Sequence, residues 1–337
     1  MLALFYIFIG VAIGVSVWQI TRIMDFRSSI ANDKDNAAQG KYAIGFLAFL
    51  YAMMIYCLIF MNVIMLPESA SIEGEHDDSL FNITFWLIGI VQFFMQFLIF
   101  YFTFKYRGSK DRKAKFYADS HKLEFIWTIT PAIVLVGLVG YGLWQWNNVM
   151  DLSDEDDAIV IEVYAQQFNW KARYAGADNT LGFGNVNFIK GINTMGVDMS
   201  DPNATDDKQV SELYLPKGRK VHFKFRSQDV LHSAYMPHFR AQMNCVPGMV
   251  TEFGFTPKYT TEEMREQPEV IAKSIGINKI RRARGDDPYL FNYLLLCNKI
   301  CGASHYNMQF KITVVEEDEY DEWLLEQPTL TEVISKY

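Results

Sequence analysis

Residues Tyr293–Glu316 read YLLLCNKICGASHYNMQFKITVVE. The flanks are dense in Leu, Ile, Val and Phe and the run breaks at Gly302, which reads as strand, loop and strand rather than helix. The loop, Cys297-Asn-Lys-Ile-Cys301-Gly-Ala-Ser-His305-Tyr-Asn-Met308, offers two thiolates, an imidazole and a thioether within twelve residues. A second imidazole comes from Asp229-Val-Leu-His232-Ser233, on a different strand. Soft sulfur with imidazole suits copper or zinc, and zinc has little use for the Met308 thioether. Two histidines, one cysteine and a weak methionine make a one-copper electron-transfer site. Here there is a cysteine more, so two thiolates can bridge two coppers, each capped by one His. Such a pair shares a single electron and reorganises little on oxidation. The competing readings are a structural zinc on His232, Cys297, Cys301 and His305, and a Cys-x-x-x-Cys redox pair, which would not need the flanking His and Met.

Upstream of this loop the same β pattern recurs. The runs AIVIEVYAQQFNWKARY, SELYLPKGRKVHFKFRSQD and MVTEFGFTP are separated by turn signals at Pro216-Lys217-Gly218 and Pro247-Gly248. Short strands at regular spacing predict a β-sandwich or barrel. Polar segments near 176–210 and 258–288 interrupt it, the second predicted as helix plus loop on the surface, and Glu316–Glu326 reads as a short acidic helix stopped by Pro328. Only four cysteines occur in 337 residues, which is no disulfide framework, and the absence of Cys-x-x-Cys-His excludes a covalently attached c-type haem. Cys57 and Cys245 are expected to be structural, and His222 and His238 to be surface or supporting groups.

Before Asp151 the pattern changes to long apolar runs. Four stretches, about 2–20, 42–66, 83–104 and 125–146, are long enough to cross a bilayer, with Trp18, Trp86, Trp144 and Trp146 near their ends. The loops after the first and third spans are rich in Lys and Arg, whereas Pro67–Asn82 has none and carries five carboxylates. The positive-inside rule then puts both basic loops in the cytoplasm, and the N-terminus and C-terminal domain outside. Basic residues follow the first span rather than precede it, so a retained helix is expected, not a signal peptide. From Asp151 onward there are 28 acidic and 20 basic residues, against 11 of each before it. An acidic outer domain favours a basic partner and argues against nucleic acid.

The Cys297–Met308 and Asp229–Ser233 motifs resemble those of cytochrome c oxidase subunit II, and the resemblance covers roughly Ile83–Glu326. The first two spans lie outside it, so the expected architecture joins a membrane α-helical anchor of four helices (1–150), read from the apolar runs, to the all-β cupredoxin-like barrel that the resemblance implies (151–326, then a tail 327–337), on the periplasmic side of a bacterial inner membrane. The resemblance implies a binuclear copper centre, CuA, held by His232, Cys297, Cys301, His305, Met308 and the backbone carbonyl of Lys299. The reaction implied is acceptance of electrons from cytochrome c and their transfer to haem, which belongs to the partner, catalytic subunit I. The segment Leu123-Glu124-Phe-Ile-Trp127-Thr-Ile-Thr-Pro131 looks like the start of the family's second helix, and Glu124 there would stand at the mouth of a proton path. An ionisable residue at a span edge is a functional suspect in its own right.

Three departures from the family pattern matter. Lys299 stands where the family usually has a Glu that helps bind magnesium at the subunit interface, so that magnesium is in doubt. Gln242 and Asn244 replace residues often charged. Phe168 occupies the position of the tryptophan that first receives electrons, while Trp170 is retained either as relay or as barrel core. The extra N-terminal hairpin and the altered patch lead us to expect a cytochrome c held by a neighbouring membrane complex rather than only a soluble one, with Asp229 and nearby carboxylates as candidates to steer it. A quinol-oxidase-type subunit II would lack the copper ligands. Nitrous oxide reductase carries a similar motif but in a soluble enzyme. A zinc-bound structural anchor is the non-redox alternative.

Overall fold

The computed structural model describes residues 2–24, 32–60, 67–150, 152 and 158–336. It comprises two units, Met1–Ile59 with Ile88–Leu123, and Phe60–Leu87 with Glu124–Tyr337. Helices α1 (Leu2–Met24) and α2 (Asp33–Phe60) belong to the first, and α3 (Ile72–Lys105) runs through both. Together with α4 (His121–Met150), α2 and α3 are long and apolar enough to cross a membrane, at 30, 28 and 34 residues. The apolar stretch of α1 with described side chains is shorter, Ile9–Ile20. Side chains such as Ile59, Ile88 and Val136 are exposed, as expected of helices that give their apolar surface to lipid. Inside the first unit, Tyr51 stacks on Phe93 at 4.7 Å and donates its hydroxyl to the Phe93 carbonyl.

The helices outrun the apolar windows that reveal them. Helix α2 starts at Asp33 rather than Tyr42, and α3 at Ile72 rather than Ile83. Their added first turns carry Asp33 and Asp35, or Glu73 and Glu75, where the positive end of the helix dipole favours carboxylates. Residues 61–66 of the expected second span lie outside the described residues.

The second unit is built on β1 (Ile159–Gln166), β2 (Asn169–Tyr174), β3 (Lys208–Val210), β4 (Leu213–Pro216), β5 (Val221–Ser227), β6 (His232–Met236), β7 (Ala241–Cys245), β8 (Thr251–Phe255), β9 (Tyr293–Cys297) and β10 (Gln309–Val315). They form two five-stranded sheets, ordered β3-β2-β1-β5-β8 and β4-β10-β9-β6-β7. The pairs β1–β5 and β4–β10 are parallel and the others antiparallel. Alternate residues face the middle, so Ile161, Val163, Phe223 and Phe225 of one sheet share a core with Ala234, Tyr293, Leu295 and Ile312 of the other. Helices α5 (Thr261–Arg265) and α6 (Pro268–Arg284) fill the 258–288 segment, and α7 (Glu317–Glu326) and α8 (Leu330–Ser335) close the chain. The 176–210 segment is less of an interruption than its polarity implies. It holds two short 3-10 turns, and its last three residues are β3, paired to β2.

One ion network lies fully inside this unit. Arg173 joins Glu162 and Asp207, at 2.7 and 2.5 Å, with all three side chains at most 3% exposed, and Arg226 reaches the other Glu162 oxygen at 2.6 Å. Burial pushes the Asp207 carboxyl up to about 6 against the pull of Arg173, so at neutral pH it remains the charged partner. A second set of contacts fastens α3 to the sheets. Arg240 grips both oxygens of Asp78 at 2.8 Å and donates to the Pro67 carbonyl at 2.7 Å. Thr256 N donates to Glu73, Ser71 to the Phe239 carbonyl and Ala70 N to the His238 carbonyl, at 2.7, 2.7 and 2.8 Å. Gly74 is required in this clasp, since a Cβ there would fall 2.2 Å from Ser69 Oγ. At the other side of α3, Gln145 of α4 donates to Asp77 at 2.9 Å.

Two outcomes follow for stability. Arg173→Met leaves Glu162 and Asp207 buried without their main partner and is expected to cost about 3–5 kcal/mol in denaturant unfolding followed by the β-sheet circular dichroism signal. The His238 imidazole, edge-on to Phe291 at 4.9 Å, is lowered to about 4 by burial and by the nearby Arg240 and Lys273 cations. The unfolded chain therefore takes up a proton near 6.5 that the folded one refuses until about 4. Its contribution is complete above 6.5 and fades as the pH falls towards 4, a loss on the order of 3 kcal/mol. His238→Phe keeps the ring stack and should flatten this acid limb in unfolding measured at pH 7 and pH 4.5. An unchanged slope would remove His238 as its source.

Candidate metal centre

Strand register assembles the site. β6 pairs with β9 so that Ala234 lies opposite Cys297, and Asn298 N donates to the Ser233 carbonyl at 2.9 Å. His232, the first residue of β6, is thereby brought against the last residue of β9. Cys297 N donates to the Met308 carbonyl at 3.0 Å and closes the intervening loop on itself. Within the loop Gly302 takes φ +141°, and a side chain there would meet the Phe168 ring at 2.8 Å. Only glycine fits both demands.

The predicted donors form a continuous series. His232 Nδ1 lies 3.7 Å from Cys297 Sγ, which lies 3.7 Å from Cys301 Sγ and 3.2 Å from the Lys299 carbonyl. Cys301 Sγ in turn lies 3.6 Å from His305 Nδ1 and 3.9 Å from Met308 Sδ. Metal–sulfur bonds of about 2.3 Å and metal–nitrogen bonds of about 2.0 Å at tetrahedral angles separate ligand atoms by roughly 3.6–3.8 Å. These spacings fit. A disulfide would need about 2.05 Å, and both thiols are free. Donors of His232, Cys297 and Cys301 all lie within 4.8 Å of one another, a group that does not include His305. The two imidazoles thus flank different sulfurs.

Three of the donors are buried, while Cys297 and His305 are partly exposed. His232 is fully buried, Met308 is 2% exposed and Cys301 5%. Burial, reinforced by the neighbouring Cys297, pushes the Cys301 thiol up to about 11, so a metal must displace a proton to bind there. The second nitrogen of His232, Nε2, meets Asp229 Oδ1 at 2.9 Å, while Asp229 Oδ2 accepts from Gln167 N at 2.7 Å. Burial raises the Asp229 carboxyl, but the hydrogen bonds from Gln167 N, His232 and Val230 N outweigh it and hold the group below its usual range. A carboxylate behind a ligating histidine fixes its tautomer and orientation. Gln167 also donates to the Cys301 carbonyl at 2.5 Å. From the sequence alone Gln167 has no expected role and Asp229 only a steering one. The signal was the spacing, since a carboxylate three residues before a histidine in a turn can reach its ring.

Trp170 is 1% exposed, donates Nε1 to the Met308 carbonyl at 3.4 Å and stands edge-on to the His232 ring at 6.1 Å. It is core and ligand neighbour at once. Phe168 lies over the loop and remains 36% exposed. Cys245 pairs with His232 across β6 and β7, and burial pushes its thiol up to about 12, which suits a structural residue. His222 pairs with Glu252, and His238 belongs to the α3 clasp. Glu124 is not brought here. It sits in the first turn of α4, and the 26 residues to Met150 place it about 39 Å from that helix's C-terminal end.

The Lys299 side chain is exposed, and the nearby amides are engaged with each other. Asn298 donates to Gln242 at 3.2 Å and Gln242 to Ser233 at 3.3 Å. Magnesium asks for hard oxygen ligands, usually with a carboxylate, and Lys299, Gln242 and Asn244 supply no carboxylate.

The chain has relatives among known proteins. The family model for the cytochrome c oxidase subunit II transmembrane domain matches residues 60–143. A cytochrome c oxidase subunit 2 of Alkalihalophilus pseudofirmus is 24% identical, over 85% of this chain and 70% of its own. A crystal structure of the periplasmic domain of subunit II of cytochrome oxidase from Bradyrhizobium japonicum covers 51% of this chain and 94% of its own, at 16% identity and a TM-score of 0.31. The alternative cytochrome c oxidase subunit 2 of Bradyrhizobium diazoefficiens is 33% identical over 258 residues, which are 76% of this chain and 81% of that protein. At that identity and coverage, the chain belongs to the cytochrome c oxidase subunit II family.

Proposed function

We propose that this chain is the electron-accepting subunit of a haem-copper oxidase and holds a binuclear copper centre on His232, Cys297, Lys299 O, Cys301, His305 and Met308. The observation that carries this reading is the division of the imidazoles. His232 lies beside Cys297 and His305 beside Cys301, with the two sulfurs 3.7 Å apart between them. A single tetrahedral zinc would gather both imidazoles and both sulfurs within about 3.8 Å of one another. His305 stands outside the mutually close group, which favours two metals over one. When bound, the dicopper pair supplies a one-electron acceptor with little reorganisation.

The chain's own residues supply the rest. Asp229 orients His232, Gln167 pins the loop at the Cys301 carbonyl, and the packed Trp170 and Met308 exclude water. Phe168, partly exposed above the loop, is the place for the donor's electron to arrive. We assign the donor as cytochrome c, soluble or held by a neighbouring complex, and the acceptor as haem in the catalytic subunit. Glu124, at the other end of α4, is assigned to proton uptake. The loop charges favour an orientation with the β-sheet unit outside, and family membership favours a bacterial plasma membrane, where that side is periplasmic. Both Asp229 oxygens accept hydrogen bonds within the chain, and its charge, which these bonds keep, adds to that of the nearby carboxylates in steering the donor.

Stopped-flow mixing of the intact oxidase with reduced cytochrome c tests the assignment. The near-infrared copper band is expected to change before the haem band. Haem reduction with no preceding copper phase would contradict it. Asp229→Asn should loosen copper by about 10–100-fold against a competing chelator, with the β-sheet signal unchanged. Unaltered retention would mean that this carboxylate does not support the site.

A further inference from the structure

Helix α6 is unlike the domain that carries it. Residues 151–337 hold 28 acidic and 20 basic side chains, yet Pro268–Arg284 (PEVIAKSIGINKIRRAR) has five basic residues and a single Glu. The helix is anchored along one side. Val270 is buried in the core, Ser274 and Ile277 are half-buried, and Asn278 clasps Tyr289 through both its donor and its acceptor, at 3.1 and 2.6 Å. About a quarter-turn away runs a second row, Ile271, Ile275, Lys279 and Arg282, all exposed, the isoleucines at 44% and 65%. Arginines in the last turn complement the helix dipole, but that accounts neither for Lys279 nor for the two isoleucines aligned with it.

The helix also lies at the end of the β-sheet unit that is fastened to the membrane helix. Lys258, ten residues before α6 begins, pairs with Glu68 at 3.2 Å and with Glu75 of α3, and its backbone N donates to the Ala70 carbonyl at 2.8 Å, two residues before α3 begins. Arg240 grips Asp78 of α3 itself. The apolar run of α3 starts at Ile83, so about 16 Å of helix separates Ile72 from hydrocarbon. Headgroups occupy several ångströms of that gap. Helix α6 has 17 residues and is about 25 Å long, more than that gap.

We propose that the Ile271–Ile275–Lys279–Arg282 ridge of α6 is a membrane-surface contact that takes the anionic headgroups of the bilayer crossed by α3 and α4. The two isoleucines enter the headgroup–acyl boundary and the two cations pair with phosphates, the arrangement of an interfacial amphipathic helix. The remainder of the domain is acidic and is repelled by the same surface, so a single basic ridge fixes which side faces the bilayer. The contact would hold the metal-bearing β-sheet unit at a set tilt above the membrane.

The test uses the intact oxidase in nanodiscs of phosphatidylcholine alone or with one-third phosphatidylglycerol, read by amide hydrogen exchange. Exchange across 268–284 is expected to slow about tenfold with the anionic lipid and to recover in high salt. The double variant Lys279→Gln, Arg282→Gln should lose the protection, and so should Ile275→Gln, while exchange in β9 stays as in the wild type. Equal rates in the two lipids overturn the proposal. So does anionic protection that survives the double variant, or protection already complete in zwitterionic discs, which would assign the ridge to a neighbouring protein.

Discussion

The pairing of β6 with β9 is the contact on which the metal centre depends. Ala234 opposite Cys297 sets the register that brings His232 to Cys297. A slip by one residue would turn the β6 side chains to the other face and take His232 away from Cys297. The register is held from both sides. Ala234, Tyr293 and Leu295 are buried in the sandwich, and the Cys297 N–Met308 O bond ties the far end of the loop back to the same strand. The donors are therefore arranged before any metal arrives, and only protons need leave. Around them Asp229 and Gln167 act as a frame that joins the β1–β2 turn to the ligand loop.

The clasp between α3 and the sheets gives that frame a fixed relation to the membrane segment of its own unit. Arg240, Thr256 and Lys258 from the sheet side meet Asp78, Glu73 and Glu75 on the first turns of α3. Those turns are helical because their carboxylates sit at the favourable end of the dipole, and they are polar because they stand clear of lipid. The same acids that mark the segment as external in a charge count are thus the handles by which the sheet domain is held. In that light α6 is a second point of support at the clasp end of the domain, and the metal loop lies at the other end of β6 and β9.

Much of this was legible from residue types and their spacing. Two cysteines, a histidine and a methionine in one loop carry the chemistry in their side chains, and strand patterning survives in any order of strands. What escaped depends on contacts between residues distant in sequence. Gln167 sits 134 positions before the Cys301 carbonyl it holds, and Arg240 sits 162 positions after Asp78. No local pattern reports such pairs. Helix ends escaped for another reason. An apolar window detects what lipid requires, whereas Asp33–Lys41 and Ile72–Asn82 are helical for capping and charge reasons that the window does not weigh. The 176–210 segment looked like an insertion because β3 is a three-residue edge strand, too short to print a period.

The central claim is that two metals, not one, occupy the pocket between His232 and His305. Metal analysis and electron paramagnetic resonance of the oxidase purified from its native membrane test it most directly. The account predicts two coppers per chain sharing one unpaired electron equally. One copper with its electron confined to a single nucleus, or zinc in place of copper, would contradict it.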